Sequence, residues 1–174
     1  EVHNLETCFE WLTAREQLSK ENAVLCGDCQ HKVEAFSRVQ LATLPPVLVL
    51  HLNRFEYKYG QRNRLGTPIR FPLEGLDLTS FQAQSVQEAP GCEEVQDFGL
   101  RPRYDLLATI THSGSAGFGH YMAHVRSCED GHWYLYNDDL VTQSNAEDVA
   151  GDVRGCYILF YLRQDMRPLS WGST

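Results

Sequence analysis

A histidine set where a glycine-rich loop runs into a strand has the placement of a general base. Residues 111–121 read Thr-His-Ser-Gly-Ser-Ala-Gly-Phe-Gly-His-Tyr, which puts His120 in that position. Small residues let a substrate backbone pass close by, and a strand holds the imidazole in one orientation. A base of this kind needs a partner on its second ring nitrogen. If the next strand returns through a turn within Ser127–Gly131, His120 stands opposite a residue between Asp138 and Val141, and one bulge shifts this to Asn137. Antiparallel neighbours lie about 5 Å apart, so the Asn137-Asp138-Asp139 cluster is within reach. A histidine facing a polar strand end also fits a satisfied core residue, and the residues alone leave both readings open. No serine, cysteine or second ligand pair is obviously placed to act with His120, so the nucleophile is missing. Elsewhere, Cys26-Gly-Asp-Cys29 sets two thiols on a tight knuckle with the spacing of a metal or redox pair. His31 is a third donor close in sequence, and it reads equally as an exposed or core histidine.

The elements that must position these groups follow from periodicity. Cys8, Trp11, Leu12 and Leu18 recur at near-helical spacing, which predicts a helix over Thr7–Lys20 capped by Thr7 with Glu10 three residues on. Val33–Leu44 alternates as a half-buried strand. Pro45-Pro46 ends it, and the apolar run Val47–Leu52 predicts a strand buried on both faces. Residues 73–102 lack a period and read as a surface excursion. Four strand-like segments follow as an antiparallel meander: Tyr104–Thr111, His120–Arg126, His132–Asn137 and Cys156–Arg163. A capped short helix is expected at Ser144–Glu147, and Pro168–Thr174 reads as a frayed tail.

The 174 residues, 43% hydrophobic and 22% charged, match one globular unit with a core of useful size. No apolar run approaches the roughly 18 residues of a membrane span, and no signal sequence opens the chain. The formal charge of −8 and scattered basic residues argue against nucleic acid as a partner. The acidic group Glu88, Glu93, Glu94 and Asp97 reads as a solvated loop. Six cysteines are sparse for a secreted scaffold, which makes a reducing, intracellular compartment (cytoplasm or nucleus) the expectation. Met122 and Met166 are the only methionines, so a catalytic part is expected upstream of Glu1.

Several blocks in order resemble the ubiquitin-specific proteases. They are Cys26–Cys29, the run from Leu44 to Phe55, Phe71–Asp77, Tyr104–Ala108, Gly119-His120-Tyr121, Trp133–Asp139 and Tyr157–Tyr161. The resemblance implies an α+β, papain-like cysteine protease fold with an antiparallel β palm and part of the fingers, the thumb being absent. It divides the chain into a fingers portion with half a zinc ribbon (1–45), a palm (46–165) and a tail (166–174). It implies hydrolysis of the bond after the C-terminal glycine of ubiquitin, with His120 as general base, Asn137 as third triad residue and Asp138 as an adjacent acid or alternative partner. The Cys-bearing N-terminal half of the domain is then a partner, and this chain alone is expected to be inactive. The same resemblance makes Phe55, His112, Phe118, Gly119 and Tyr121 substrate-binding and Cys26 and Cys29 half of a structural zinc site. It makes Phe81–Pro102 and the loop His112–Gly119 the two loops flanking the channel for the ubiquitin tail. Phe118 departs from the Gly or Ser common in that loop, and Asn53 from a frequent Lys. A catalytically silent ubiquitin-binding module of the same fold is the competing expectation, and an unrelated zinc-binding domain a third.

Overall fold

The computed structural model describes residues 2–83, 102–115 and 118–171. The first part of the chain forms short pieces: β1 (His3–Asn4), α1 (Leu5–Leu12), β2 (Glu16–Leu18), β3 (Val24–Leu25), β4 (Lys32–Val33) and β5 (Ala35–Ser37). Then come β6 (Val47–His51), a hairpin of β7 (Phe55–Lys58) and β8 (Gln61–Arg64), β9 (Ile69–Arg70) and β10 (Leu76–Asp77). The second part is nearly all sheet: β11 (Arg103–Gly114), β12 (Gly119–Arg126), β13 (Trp133–Asn137), β14 (Leu140–Ser144), α2 (Ala146–Gly151) and β15 (Cys156–Arg163).

The main sheet has the order β14-β13-β12-β11-β15-β6, with β10 attached to β11. The meander expectation holds for β11, β12 and β13, and β14, absent from the sequence reading, continues it. The last strand does not extend it: β15 returns past α2 and pairs with β11, which makes β11 central. Leu159 and Tyr161 of β15, Tyr104 and Leu106 of β11 and Trp133 of β13 bury one face of the sheet. Leu5 and Phe9 of α1, with Leu76, Leu78 and Val149, close the core over it.

Four sequence expectations are corrected. The first helix starts at Leu5 rather than Thr7, because Asn4 Oδ1 accepts the Thr7 N–H at 2.8 Å and supplies the cap. It ends at Leu12, where the Thr13 hydroxyl and N–H both return to the Phe9 carbonyl. Its buried stripe is the i, i+4 pair Leu5 and Phe9, whereas Trp11 and Leu12, which prompted the longer helix, are exposed. Val33–Leu44 does not run as one strand; only Lys32–Val33 and Ala35–Ser37 are extended, in two different two-stranded sheets.

β6 is an edge strand, so its apolar run alternates: Leu48 and Leu50 face the core while Val47 and Val49 are 44% and 54% exposed. The tail is docked as far as Trp171. That residue is buried, its indole N–H donates to the Ser127 carbonyl at 2.9 Å, and Arg126 lies over the ring at 4.6 Å. Ser170 Oγ donates to the Cys128 carbonyl alongside. The short helix expected near Ser144 is α2, capped by Asn145, whose Oδ1 accepts the Asp148 N–H.

Candidate active site

His120 is the second residue of β12, and its Nε2 lies 2.5 Å from Asn137 Oδ1. The amide oxygen accepts, so Nε2 carries the hydrogen and Nδ1 carries the lone pair. Asp138 Oδ2 is 4.0 Å from the same nitrogen, and the imidazole is 46% exposed. Asn137 is therefore the direct partner and Asp138 a nearby charge. No bulge is needed to bring them together. The β12–β13 ladder aligns Ala123 with Tyr136, and its continuation sets Asn137 diagonal to His120 on the same face. Asp138 and Asp139 form the two-residue turn to β14, closed by the pair Asn137 and Leu140. Asp138 has φ +51°, a left-handed conformation that Asp tolerates better than most side chains, and the turn brings its carboxylate back toward the imidazole.

The loop before His120 is shorter than expected, because β11 runs on to Gly114 and His112 is a strand residue paired with Tyr121. Glycine is required at both hinges of this loop. Gly114 has φ +122°, and a Cβ there would lie 2.5 Å from the Phe118 carbonyl oxygen. A Cβ at Gly119 would collide with His112 Nε2 and lie 2.8 Å from the Ser113 carbonyl. The residue preceding His120 thus presses flat against a buried imidazole on the opposite face of the sheet.

That buried imidazole anchors an aromatic cluster. His112 is 5% exposed, with ring centroids 4.7 Å from Tyr121, 5.4 Å from Phe55 and 6.5 Å from Tyr157. Tyr157 also meets His51 edge-on at 4.6 Å. Phe55, His112, Gly119 and Tyr121 are brought together as expected, whereas Phe118 stands apart, 88% exposed beside the base. Tyr157 was not singled out from sequence. It falls inside the Tyr157–Tyr161 strand block, where an aromatic reads as core.

The β7–β8 hairpin was also missed, and it supplies one wall of this cluster. Arg64 Nη2 donates to the carbonyls of His112 and Arg154 at 2.8 and 2.9 Å. Arg54, 2% exposed, donates to the carbonyls of Cys156, Thr67, Val153 and Leu65, which fixes the hairpin to β15. Burial pushes the pKa of this guanidinium down, and the four carbonyls compensate the lost hydration. Of the expected flanking segment 81–102, residues 84–101 lie outside the described residues, as do Glu88, Glu93, Glu94 and Asp97. The strand that follows begins at Arg103, at the far end of β11 from Gly114. The hairpin, rather than the entry to β11, stands beside the loop.

At the knuckle, the N–H groups of Cys29 and Asp28 and the Cys29 thiol hydrogen-bond the Cys26 sulfur and hold its thiol below the usual range. Two soft donors, one eased toward thiolate, fit half a tetrahedral zinc site. His31 Nδ1 instead contacts the Cys29 carbonyl, and no group of three or more potential ligands converges among the described residues. The other described cysteines are elsewhere. Cys8 sits on α1, where burial raises its pKa, and Cys128 lies in the turn at the opposite end of β12 from His120. Cys156 is buried on β15, its thiol pushed up to about 12 by desolvation.

The family model described as ubiquitin carboxyl-terminal hydrolase matches residues 4–161. The chain belongs to that family. It is 35% identical over 161 residues to ubiquitin carboxyl-terminal hydrolase 15 of Homo sapiens, covering 92% of this chain and 15% of that protein. To human ubiquitin carboxyl-terminal hydrolase 43 it is 36% identical over 182 residues, covering 98% and 16%. Among solved structures, the SAGA DUB module of Ubp8, Sgf11, Sus1 and Sgf73 bound to monoubiquitin matches with TM-score 0.73 and 28% identity, over 93% of this chain and 33% of that one. The same module bound to ubiquitin aldehyde matches with TM-score 0.74 and 28% identity, over 93% and 34%. The chain therefore has the α+β, papain-like fold of the ubiquitin-specific proteases. It spans about a sixth of the length of the curated relatives it matches.

Proposed function

We propose that this chain is the histidine-bearing part of a thiol-dependent deubiquitinase, with fingers over 1–45, palm over 46–165 and the nucleophilic cysteine supplied by another segment. The observation that supports it most is the Nε2–H hydrogen bond to Asn137, which leaves Nδ1 free on the exposed side of a glycine-hinged loop. In this reading Nδ1 takes the proton of the cysteine thiol, and the thiolate attacks the carbonyl carbon after the last glycine of ubiquitin. The resulting imidazolium protonates the leaving amine. A water molecule deprotonated by Nδ1 then hydrolyses the thioester, releasing the ubiquitin carboxylate and the thiol. Asn137 keeps the tautomer, and the Asp138 carboxylate favours the imidazolium.

The cluster of Phe55, His112, Tyr121 and Tyr157, with Gly119 flat beside it, serves as the groove for the ubiquitin tail, and Phe118 overhangs it. Cys26 and Cys29 take zinc together with two ligands from elsewhere, where the metal cross-links the fingertip. No described helix is long and apolar enough to cross a membrane, and the described cysteines are free thiols; an intracellular, reducing location accords with both.

The test compares this chain with the full-length protein on a ubiquitin C-terminal amide reporter. The isolated chain is expected to be inert and the full-length protein active. Turnover by the isolated chain that is abolished by replacing one of its own six cysteines would overturn the assignment. Ubiquitin binding by the full-length protein without turnover would favour the silent binding module.

A further inference from the structure

A hydrolase of this kind must hold the two sides of the bond it cuts on two sides of its base. The sheet order makes those sides distinct. The aromatic groove belongs to β11, β15, β6 and the β7–β8 hairpin, which all lie on one side of β12. The groove and His120 lie on opposite faces at the Gly119 end of β12, so a tail seated there comes to His120 round that strand end, and the leaving amine departs toward β13 and β14. With strands about 4.8 Å apart, β14 runs about 10 Å from the base, within reach of the residues around a bound lysine.

The surface on that side has two properties. It is apolar next to the base, where Leu140, directly opposite Asn137 and on the same face as His120, is 61% exposed; Val141 and Tyr136, 49% and 43% exposed, pair with each other on the other face. β14 is also the last strand of the sheet, and its outer edge has no strand partner among the described residues. Exposed apolar side chains beside an unpaired strand edge form a surface for an extended segment. The region is also of one sign. At the turn beside the base Asp138 and Asp139 are both exposed and residues 127–153 hold no lysine or arginine, whereas Arg54, Arg64 and Arg154 all stand on the groove side.

We propose that the β13–β14 hairpin is the acceptor-side docking surface of this hydrolase, taking the segment that carries the modified lysine when that segment is basic with an apolar residue beside the lysine. Leu140 receives the apolar neighbour and Asp139 meets the basic flank. The proposal rests on the deubiquitinase reading above and on the tail lying in the aromatic groove.

The experiment uses the full-length protein and three substrates. Two are ubiquitin joined to the lysine of a short peptide, one with Arg and Leu flanks and one with Glu flanks. The third is a ubiquitin C-terminal fluorophore amide, which has no acceptor peptide. The wild type is expected to favour the basic peptide by about tenfold in kcat/KM at low salt, and the preference should fall away in 0.5 M NaCl. Asp139→Lys should bring the two peptides to similar rates. Leu140→Ser should raise KM for the Arg and Leu peptide about threefold. Both variants should turn over the fluorophore amide like the wild type. Equal rates on the two peptides, with normal fluorophore release, would overturn this inference and leave the hydrolase reading intact. Loss of fluorophore release in both variants would also overturn it, because the hairpin would then serve the base rather than the acceptor. No fluorophore release by the wild type would overturn both readings.

Discussion

The hairpins β12–β14 that carry His120 and Asn137 and the knuckle region 16–37 are both small antiparallel structures, but they differ in what completes them. In the hairpins, several polar groups find partners within the chain: His120 on Asn137, Asp130 on the Tyr134 hydroxyl and the His132 N–H, Arg126 on Glu74 and the Trp171 ring. The knuckle region consists of two separate two-stranded sheets, and Val24, Leu25, Val33 and Phe36 are all at least 39% exposed. Such ribbons are marginal on their own. The hairpins are fixed by register, whereas under the zinc proposal the knuckle is fixed by the metal on its two thiols.

His120→Ala, which leaves the hairpin backbone in place, gives the largest expected effect. In the full-length protein it should lower turnover by about 10²–10⁴-fold, the usual cost of a lost general base, with ubiquitin binding and thermal stability kept. Normal turnover would remove the catalytic meaning of the hairpin. Next, Trp171→Ala should destabilise this chain by about 3 kcal/mol in urea denaturation, because it empties a buried site and frees the β12–β13 turn. Cys26→Ser in the same chain should change stability by less than about 0.5 kcal/mol, since none of residues 24–33 is buried. Equal effects from the two would erase the contrast.

Asn137→Ala should cost about tenfold in turnover, less than His120→Ala, because an orienting amide fixes a tautomer and takes no proton. Asn137→Asp should retain or raise activity. Should Asn137→Ala be neutral while Asp138→Ala equals His120→Ala, the direct partner is Asp138. The smallest expected effect is on pH dependence. The Tyr134 hydroxyl and the His132 N–H hold the Asp130 carboxyl down at about 2. A lowered folded-state pKa contributes stability that is complete above the ordinary carboxylate value near 3.9 and is lost as pH falls toward 2. Carboxyl carbon shifts followed by NMR should show this titration, and Tyr134→Phe should return it toward the ordinary range.

The β12–β13 hairpin was legible in the sequence because a strand alternates every two residues and a hairpin conserves its index sum, whereas β14 was not. Cys156–Arg163 was located to the residue, and the register that sets His120 opposite Asp139 lay within the range the turn allowed, while Asn137, expected only through a bulge, reaches His120 along a diagonal instead. Features made by distant residues were not legible. An apolar run such as Val47–His51 reads the same at an edge as at the centre, because burial depends on which strands flank it. Trp171 follows a proline and lies three residues from the end, which suggested fraying until the Ser127 carbonyl and the Arg126 side chain were seen to receive it. Tyr157 sits where the register between β11 and β15 slips by one residue, and alternation alone cannot tell which way such a side chain faces.

The arginine that follows the apolar run has a consequence for the order of folding. Arg54 and the Cys156 carbonyl it binds are 102 positions apart, whereas the β12–β13 and β13–β14 ladders join near neighbours in sequence. Loop closure makes such distant pairings the slow ones. The strands bearing His120 and Asn137 can therefore pair early, while a guanidinium in an apolar setting must wait for β15 before it has acceptors. During synthesis the groove side of the sheet remains open until the last strand has left the ribosome, so this is the stage at which the chain is most exposed to aggregation.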